Sequence, residues 1–248
     1  MLAVRQLLPE PAEIDPAAAH VAASRPAPVG RPWVLVNMVA SVDGATAVDG
    51  VSGGLGGPAD KVVFSAIRSV ADVILVAAGT VRAEGYGPPR TSAPRREERV
   101  ARGQAPSPRL AVVTRSLDLD PSAAMFADAG ERPIVFTVVD APAAPRAALE
   151  QVAEVVTMGD HDVDLGAVLA DLGGRSAHVV LVEGGPGFNG QLVAAGLVDE
   201  LDVSLAPLLV GGTSARLAHG ALSAPPRAMD LAHLWEADGV IFARYVRR

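Results

Sequence analysis

The sequence predicts an α/β protein with a mostly parallel central sheet, an antiparallel edge and helices on both faces. Three observations carry that expectation. The runs WVLVNMV (33–39), DVILVAA (72–78) and HVVLVEG (178–184) are strand-length and almost uniformly apolar, as strands covered on both faces must be. Stretches with apolar residues at helical spacing lie among the strand-like runs, the alternation that builds parallel sheets. Two strand-like runs close the chain, ELDVSLAP (200–207) and GVIFARYV (239–246), and their adjacency suggests the antiparallel edge.

Taken in order, residues 1–31 are rich in Pro and Ala and read as an N-terminal arm with one short helix near Pro16–Ala23; the main domain spans 32–248. WVLVNMV ends at the polar Ser41-Val-Asp43-Gly44. A helix follows from Pro58 to about Val70. Proline suits its first turn, and Val62, Val63, Ala66, Ile67 and Val70 share one face. DVILVAA ends in Gly79-Thr80. Residues 85–109 are dense in Pro, Gly and Arg and read as a long loop, of the kind that is functional or disordered. Strands are expected at 109–114, 133–139 and 152–158, and a helix at Asp164–Leu172. HVVLVEG then leads into a glycine cluster and a helix from Pro186 to Ala195, closed by Gly196. No internal repeat is visible.

Composition narrows the function. With 248 residues, half of them hydrophobic, the chain has material for a real core, as one large domain or as a compact pair of lobes. No apolar run approaches the roughly 18 residues of a membrane span. The N-terminus meets acidic residues and prolines too early for a signal peptide. The absence of cysteine removes disulfides, thiolate metal sites and thiol nucleophiles. The five histidines are nowhere closely spaced, so no metal site is expected. A formal charge of -7, with Lys61 the only lysine and no dense basic run, disfavours a nucleic-acid platform. A cytoplasmic protein that handles small molecules is the expectation.

Leu181-Val-Glu-Gly-Gly-Pro-Gly-Phe-Asn-Gly-Gln-Leu192 contains Gly185-x-Gly187-x-x-Gly190, the spelling of a dinucleotide fingerprint. A Rossmann domain is not the reading. Its fingerprint opens the domain, whereas only 58 residues lie beyond Gly190, and Asp199, Glu200 and Asp202 come too soon to be the ribose-binding acid. The physics of the motif remains: glycines let backbone approach a ligand, and the helix start offers free N–H groups to an anion. A tight structural turn is the plainer alternative. Thr80, as a helix N-cap or a ligand contact, and Ser41-Val-Asp43-Gly44 stand at the ends of two other strands. One crevice at the carboxyl edge of a sheet would gather all three.

Together "VNMVASVDG", "IRSVADVILVAAGTVRAE" and "VVLVEGGPGFNGQLVAAGLVDELDVSLAPLLVGG" closely resemble the riboflavin-pathway pyrimidine reductase family over about residues 32–246. The resemblance implies a three-layer, dihydrofolate-reductase-like fold and makes 32–248 a reductase domain. It implies NADPH-dependent reduction of the ribosyl group of 5-amino-6-(5-phosphoribosylamino)uracil to ribityl. Deamination is excluded, because its zinc signature needs cysteine. The family's cofactor contacts fall on Ala40, Gly54, Thr80 and Glu84, and its pyrophosphate contacts on Gly184, Gly185, Pro186, Gly187, Phe188, Asn189 and Gln191. Thr114, Arg115 and Ser116 are typed for the 2′-phosphate of NADPH.

Substrate contacts fall on Asn37, Ser52, Arg68, Arg90 and Glu183. Asn37 departs from the lysine common in the bifunctional bacterial enzymes, so the substrate is less fixed than the redox class. Asp43 and Glu183 are the catalytic candidates, as groups that orient substrate or manage protons. The structural alternatives are a turn role for Asp43, an ion pair for Glu183 and helix-end charge compensation for Arg68. Two other functions fit the scaffold: a reductase of dihydrofolate or a pterin, and a non-catalytic nucleotide-binding homologue. Relatives of this fold imply a homodimer, with LAPLLVGG (205–212) as a self-pairing surface.

Overall fold

The computed structural model of the protein describes residues 3–127, 130–222 and 225–248. The chain opens with β1 (Val4–Leu8), β2 (Ala12–Ile14) and α1 (Pro16–Ala22), the last capped by Asp15, whose carboxylate accepts from the Ala17 N–H. Next come β3 (Trp33–Ser41), α2 (Pro58–Arg68), β4 (Val73–Ala77) and α3 (Ala78–Glu84). They are followed by α4 (Ala93–Ala101), β5 (Arg109–Val113), α5 (Ala124–Ala127), β6 (Ile134–Thr137), α6 (Ala143–Leu149), β7 (Glu154–Thr157) and α7 (Leu165–Gly174). The chain ends with β8 (Val179–Val182), α8 (Pro186–Ala195), β9 (Glu200–Ala206), β10 (Met229–Ala237) and β11 (Val240–Arg247).

These elements form two compact units. One gathers the chain up to Arg25 with Trp33–Val70 and Val182–Arg248; the other gathers Pro26–Pro32 with Ala71–Leu181. In the first unit the strands run β2-β1-β10-β11-β9-β3. Pairing is antiparallel from β2 through β9 and turns parallel between β9 and β3, with Asn37 opposite Asp202. In the second unit β4, β5, β6 and β7 are parallel throughout. The four residues of β6 and the four of β8 are all buried, which is why these strands read as unbroken apolar runs. The α/β class, the parallel strands and the antiparallel edge are as the sequence predicts.

Two sequence readings change. The stretch 85–109 is not one long loop: APRREERVA folds as α4. Its anchor is Arg99, which is 0% exposed. The guanidinium donates to the carbonyls of Ala105 (2.9 Å) and Ala71 (2.8 Å). Burial depresses its pKa to about 10, against the opposing pull of Asp72. An arginine used as an internal tie looks like loop charge in a sequence. The second change is β10, which no periodicity marked: MDLAHLWEA alternates poorly, and half-buried His233 stands where an aliphatic residue would signal a strand. The Pro- and Ala-rich start of the chain carries β1, which pairs with β10, and β2, which pairs with β1.

Glu200 organises the first unit. It is 0% exposed and accepts from Arg25 (2.9 and 2.8 Å), Arg244 (2.6 and 3.1 Å) and the Trp33 indole N–H (2.8 Å). Burial alone would raise its pKa; the hydrogen bonds and charges of Arg244 and Arg25 overcome that and hold it at about 2. Beside it, burial and the Glu200 charge push Asp202 well above the usual carboxylate range. His20 is driven well below its ordinary value by burial and the Arg25 charge, and His233 to about 3 by burial and Arg244. The His233 ring stacks on Trp235 with centroids 3.7 Å apart and an interplanar angle of 9°.

These shifts fix how stability depends on acid. A histidine with a lowered folded pKa destabilises the fold as pH falls below its unfolded value of 6.5. Glu200, lowered from 4.5 to about 2, adds its own loss between those values. Asp202, raised, works in the opposite sense and favours the fold in acid. Stability should therefore begin to fall just below pH 6.5. The variant His233→Phe keeps the stack and removes one titrating group. Urea unfolding at pH 7.5 and pH 5 should give a difference smaller in the variant by about 1–2 kcal/mol; equal differences would remove His233 from this account.

Candidate functional site

In the first unit, α2 and the residues after β8 bring together the most informative pair of site residues. The Arg68 guanidinium closes on the Glu183 carboxylate through two bonds, Nε to Oε1 at 2.7 Å and Nη2 to Oε2 at 2.6 Å. The Glu183 side chain is 3% exposed and that of Arg68 29%, so Arg68 is the more accessible half of the pair. Glu183, left bare by the apolar strand before it, thereby has the partner that burial demands. Phe64, one helical turn before Arg68, lies beneath the guanidinium carbon, 4.3 Å from its ring centroid. Asp60, Phe64 and Arg68 are spaced i, i+4, i+8 and are all half-buried. They line one flank of α2, beside the fully buried stripe of Ala59, Val63, Ala66 and Ile67. That spacing was legible in the sequence, but the apolar stripe beside it dominates the pattern.

Asp43 is exposed and fully engaged. Its carboxylate accepts from the Ser41 hydroxyl, from the Gly211 N–H (2.7 Å) and from the Val210 N–H (3.2 Å to each oxygen). These bonds, the Ser41 hydroxyl first, lower its pKa to about 2. It fastens the end of β3 to the segment after β9. Asn37 lines a cavity of about 10 Å³ with His20, Asp202 and His233. Ala40 is 2% exposed and lies within β3, opposite Leu205 of β9. Ser52 opens the short 3-10 turn Ser52–Gly54, and a Cβ on Gly54 would lie 3.1 Å from that of Val48.

The glycine cluster divides into distinct jobs. Gly184 has φ +83° and packs against Met38, 3.2 Å from where a Cβ would stand; the bond from Gly184 to Gly185 is cis. Gly185 is the N-cap of α8 and Pro186 its first residue, and no side chain caps the helix. The N–H groups of Gly187 and Phe188 thus begin the helix without an intrahelical acceptor. Gly190 allows close packing: a Cβ there would lie 2.0 Å from the His219 carbonyl oxygen. Asn189 is 2% exposed and its amide nitrogen donates to the Leu217 carbonyl (2.8 Å), while its Oδ1 has no partner among the described residues. Gln191 is exposed. An uncapped helix start and an unsatisfied buried amide fit a polar ligand at this turn.

In the second unit, Thr80 lies inside α3, whose N-cap is Ala77, so it is not the cap that the sequence allowed; Glu84 ends the helix. Thr114 is buried after β5, and its hydroxyl accepts from the Leu117 N–H at 3.0 Å. Arg115 and Asp162 form an ion pair in which both side chains are exposed, a pairing that water largely screens. The Ser116 hydroxyl accepts from the Asp118 N–H at 3.4 Å. Arg90 lines a cavity of about 790 Å³ with Arg96, Arg109 and Glu131. Arg109 opens β5 and Thr114 follows its last residue, so the strand separates that cavity's Arg109 from Thr114.

The sequence model of the RibD C-terminal domain matches residues 32–242. The 2,5-diamino-6-ribosylamino-4(3H)-pyrimidinone 5′-phosphate reductase of Archaeoglobus fulgidus is 32% identical over 73% of this chain and 83% of its own. The Methanothermobacter thermautotrophicus reductase of that name is 33% identical over 75% and 82%. The crystal structure of a pyrimidine reductase-like protein from Corynebacterium diphtheriae superposes with a TM-score of 0.84 at 26% identity, covering 95% of this chain and 99% of that one.

The Gly190 contact is open to direct test. Gly190→Ala must displace a backbone carbonyl and is expected to cost at least about 2–3 kcal/mol. Gly187→Ala, whose Cβ would meet only the His219 ring at 3.8 Å, should be neutral or stabilise by up to about 1 kcal/mol. Thermal unfolding of the two variants checks the difference; equal midpoints would show that Gly190 is not a packing glycine.

Proposed function

The chain belongs to the family of the RibD C-terminal domain, and we propose that it is an NADPH-dependent oxidoreductase of riboflavin biosynthesis that reduces the ribosyl group of a ribosylaminopyrimidine 5′-phosphate to ribityl. The reading rests above all on the Arg68–Glu183 pair: a buried carboxylate holds a partly exposed guanidinium in one orientation, which suits recognition of a phosphorylated substrate. The reductases at 32% and 33% identity are named for the 2,5-diamino pyrimidinone, and we take that ring as the substrate ahead of the aminouracil. Arg68, with Ser52, binds the ribose phosphate; Asn37 and Glu183 orient the ring and the guanidinium.

A nicotinamide cofactor supplies the hydride. In the first unit the Gly187 and Phe188 N–H groups at the start of α8 receive its pyrophosphate, with Ala40 and Gly54 as further cofactor candidates. In the second unit Thr80, Glu84, Thr114, Arg115 and Ser116 are the cofactor candidates. Arg115, a guanidinium whose one ion pair is exposed, is the group we assign to the 2′-phosphate that distinguishes NADPH. Asp43 keeps the end of β3 in place and is a positioning residue. Exposed Leu208 and Leu209 are the surface we assign to a homodimer.

The purified protein should oxidise NADPH with the diaminopyrimidinone ribosyl phosphate and leave dihydrofolate untouched. Turnover of dihydrofolate alone would move the substrate to the folates, and NADPH binding without turnover of either would reduce the reading to nucleotide binding. Glu183→Gln should lower kcat/KM about 100-fold, since the guanidinium loses its fork. Arg115→Ala should narrow the preference for NADPH over NADH by about 10-fold; an unchanged preference would take Arg115 out of the cofactor site.

A further inference from the structure

The proposed reduction needs a proton as well as a hydride. Opening the furanose gives an imine between C1′ and the exocyclic nitrogen. Hydride adds to C1′, the π electrons of the C=N bond move to nitrogen, and nitrogen must take a proton from a donor. The two carboxylates that the sequence points to are already engaged in this structure. Asp43 is held at about 2 and accepts three hydrogen-bond donors. Glu183 meets the Arg68 guanidinium with both oxygens.

We propose that Asp60 is the proton donor of the reduction, a carboxyl group set on the same flank of α2 as Phe64 and Arg68, two turns before the guanidinium. The proposal rests on the function given above and names the group that completes its chemistry. Eight helical residues separate Asp60 from Arg68, about 12 Å at 1.5 Å per residue. A ribosyl phosphate anchored at Arg68 would extend along that flank and bring C1′ and its nitrogen toward Asp60.

The surroundings of Asp60 suit an acid. Burial raises its carboxyl above the ordinary value of 3.8, outweighing the Ser204 hydroxyl of β9 and the charge of Lys61 on its own helix, the groups that act on it. Its Oδ2 lies over Gly56, 2.7 Å from where a Cβ would stand. Glycine at that place leaves the carboxyl room beside the backbone. The plainer role for an acid in the first turn of a helix is to offset the helix dipole. That role needs the charged carboxylate, which burial works against.

Asp60→Asn keeps the size and loses the proton. It is expected to lower kcat about 100-fold, with KM changed less than roughly threefold. Wild-type kcat should fall as pH rises through the Asp60 titration, because the acid form is required, and this limb should vanish in the variant. Asp60→Glu should restore only roughly a tenth of the activity, as expected of a displaced acid, whereas a dipole role, served equally by either carboxylate, predicts full return. A second readout does not depend on turnover. In protein labelled with 13C at aspartate carboxyls, Asp60 should titrate above 3.8 and rise by about half a unit or more when NADP+ and ribose 5-phosphate are added together. If the wild type reduces neither substrate, the proposed function fails, and the titration still decides whether Asp60 faces a ligand. Wild-type turnover in Asp60→Asn, or a titration that ligands leave unmoved, overturns the assignment.

Discussion

A single carboxylate, that of Glu200, decides how the first unit is put together. It has no contact with water and is met by two guanidinium groups and an indole N–H that come from the segment after α1, from β3 and from β11. A buried charge is costly unless its bonds are complete, and removing one partner strands the rest. The cluster therefore acts as a registration device: β9 cannot slide against β11 or β3 without unpairing a charge. Asp199 repeats the logic one residue earlier, where its carboxylate accepts from the Val34 N–H (2.9 Å) and from Arg247 (2.8 Å). Two successive acids thus fix the start of β9, and with it the position of β3, whose far end carries Ser41 and Asp43.

This explains why a chain with so few aromatic residues spends its two tryptophans here. Trp33 supplies a donor to Glu200, and Trp235, 0% exposed, forms the floor on which His233 stacks and against which His20 stands edge-on. Both histidines are driven toward the neutral form, so the surplus positive charge of Arg25 and Arg244 is not increased. Among the described residues, His20, Glu200 and Asp202 are close enough to suggest a cation site. The two arginines already on Glu200 make a further cation unfavourable there, and the cluster is better understood as structural.

The architecture was legible where burial is uniform. Strands β3, β4 and β8 announce themselves as apolar runs, and α8 is bracketed by Pro186 and Gly196, residues whose backbone preferences start and stop helices. What stayed hidden depends on partners far away in sequence. Arg99 reads as loop charge until Ala71 and Ala105 turn their carbonyls toward it. The strand β10 is obscured because His233 replaces an aliphatic with an aromatic stack. The site divides in the same way. The glycines after β8 were visible as backbone freedom, but the sequence could not assign each its task, and Gly190 proves to face the His219 carbonyl. The sequence offers Glu183 and Arg68 as ligand contacts, with an ion pair as the alternative for Glu183, and the fold supplies Arg68 as that partner.

Three carboxyl groups in the first unit, Asp43, Glu183 and Asp60, share a chemistry and are sorted by what surrounds them. Backbone N–H groups and a hydroxyl converge on Asp43 and fix it as an anion. A guanidinium takes both oxygens of Glu183, which then serves to aim that guanidinium. Asp60 meets a hydroxyl and burial, with no cation bonded to it among the described residues, and burial pushes it toward its acid form. A reduction that moves a hydride and a proton needs an anchor, a charge to hold the phosphate and an acid. Environments that separate like groups in this way are how one fold supplies different roles from one residue type, and α2 is the element that carries both the acid and the cation.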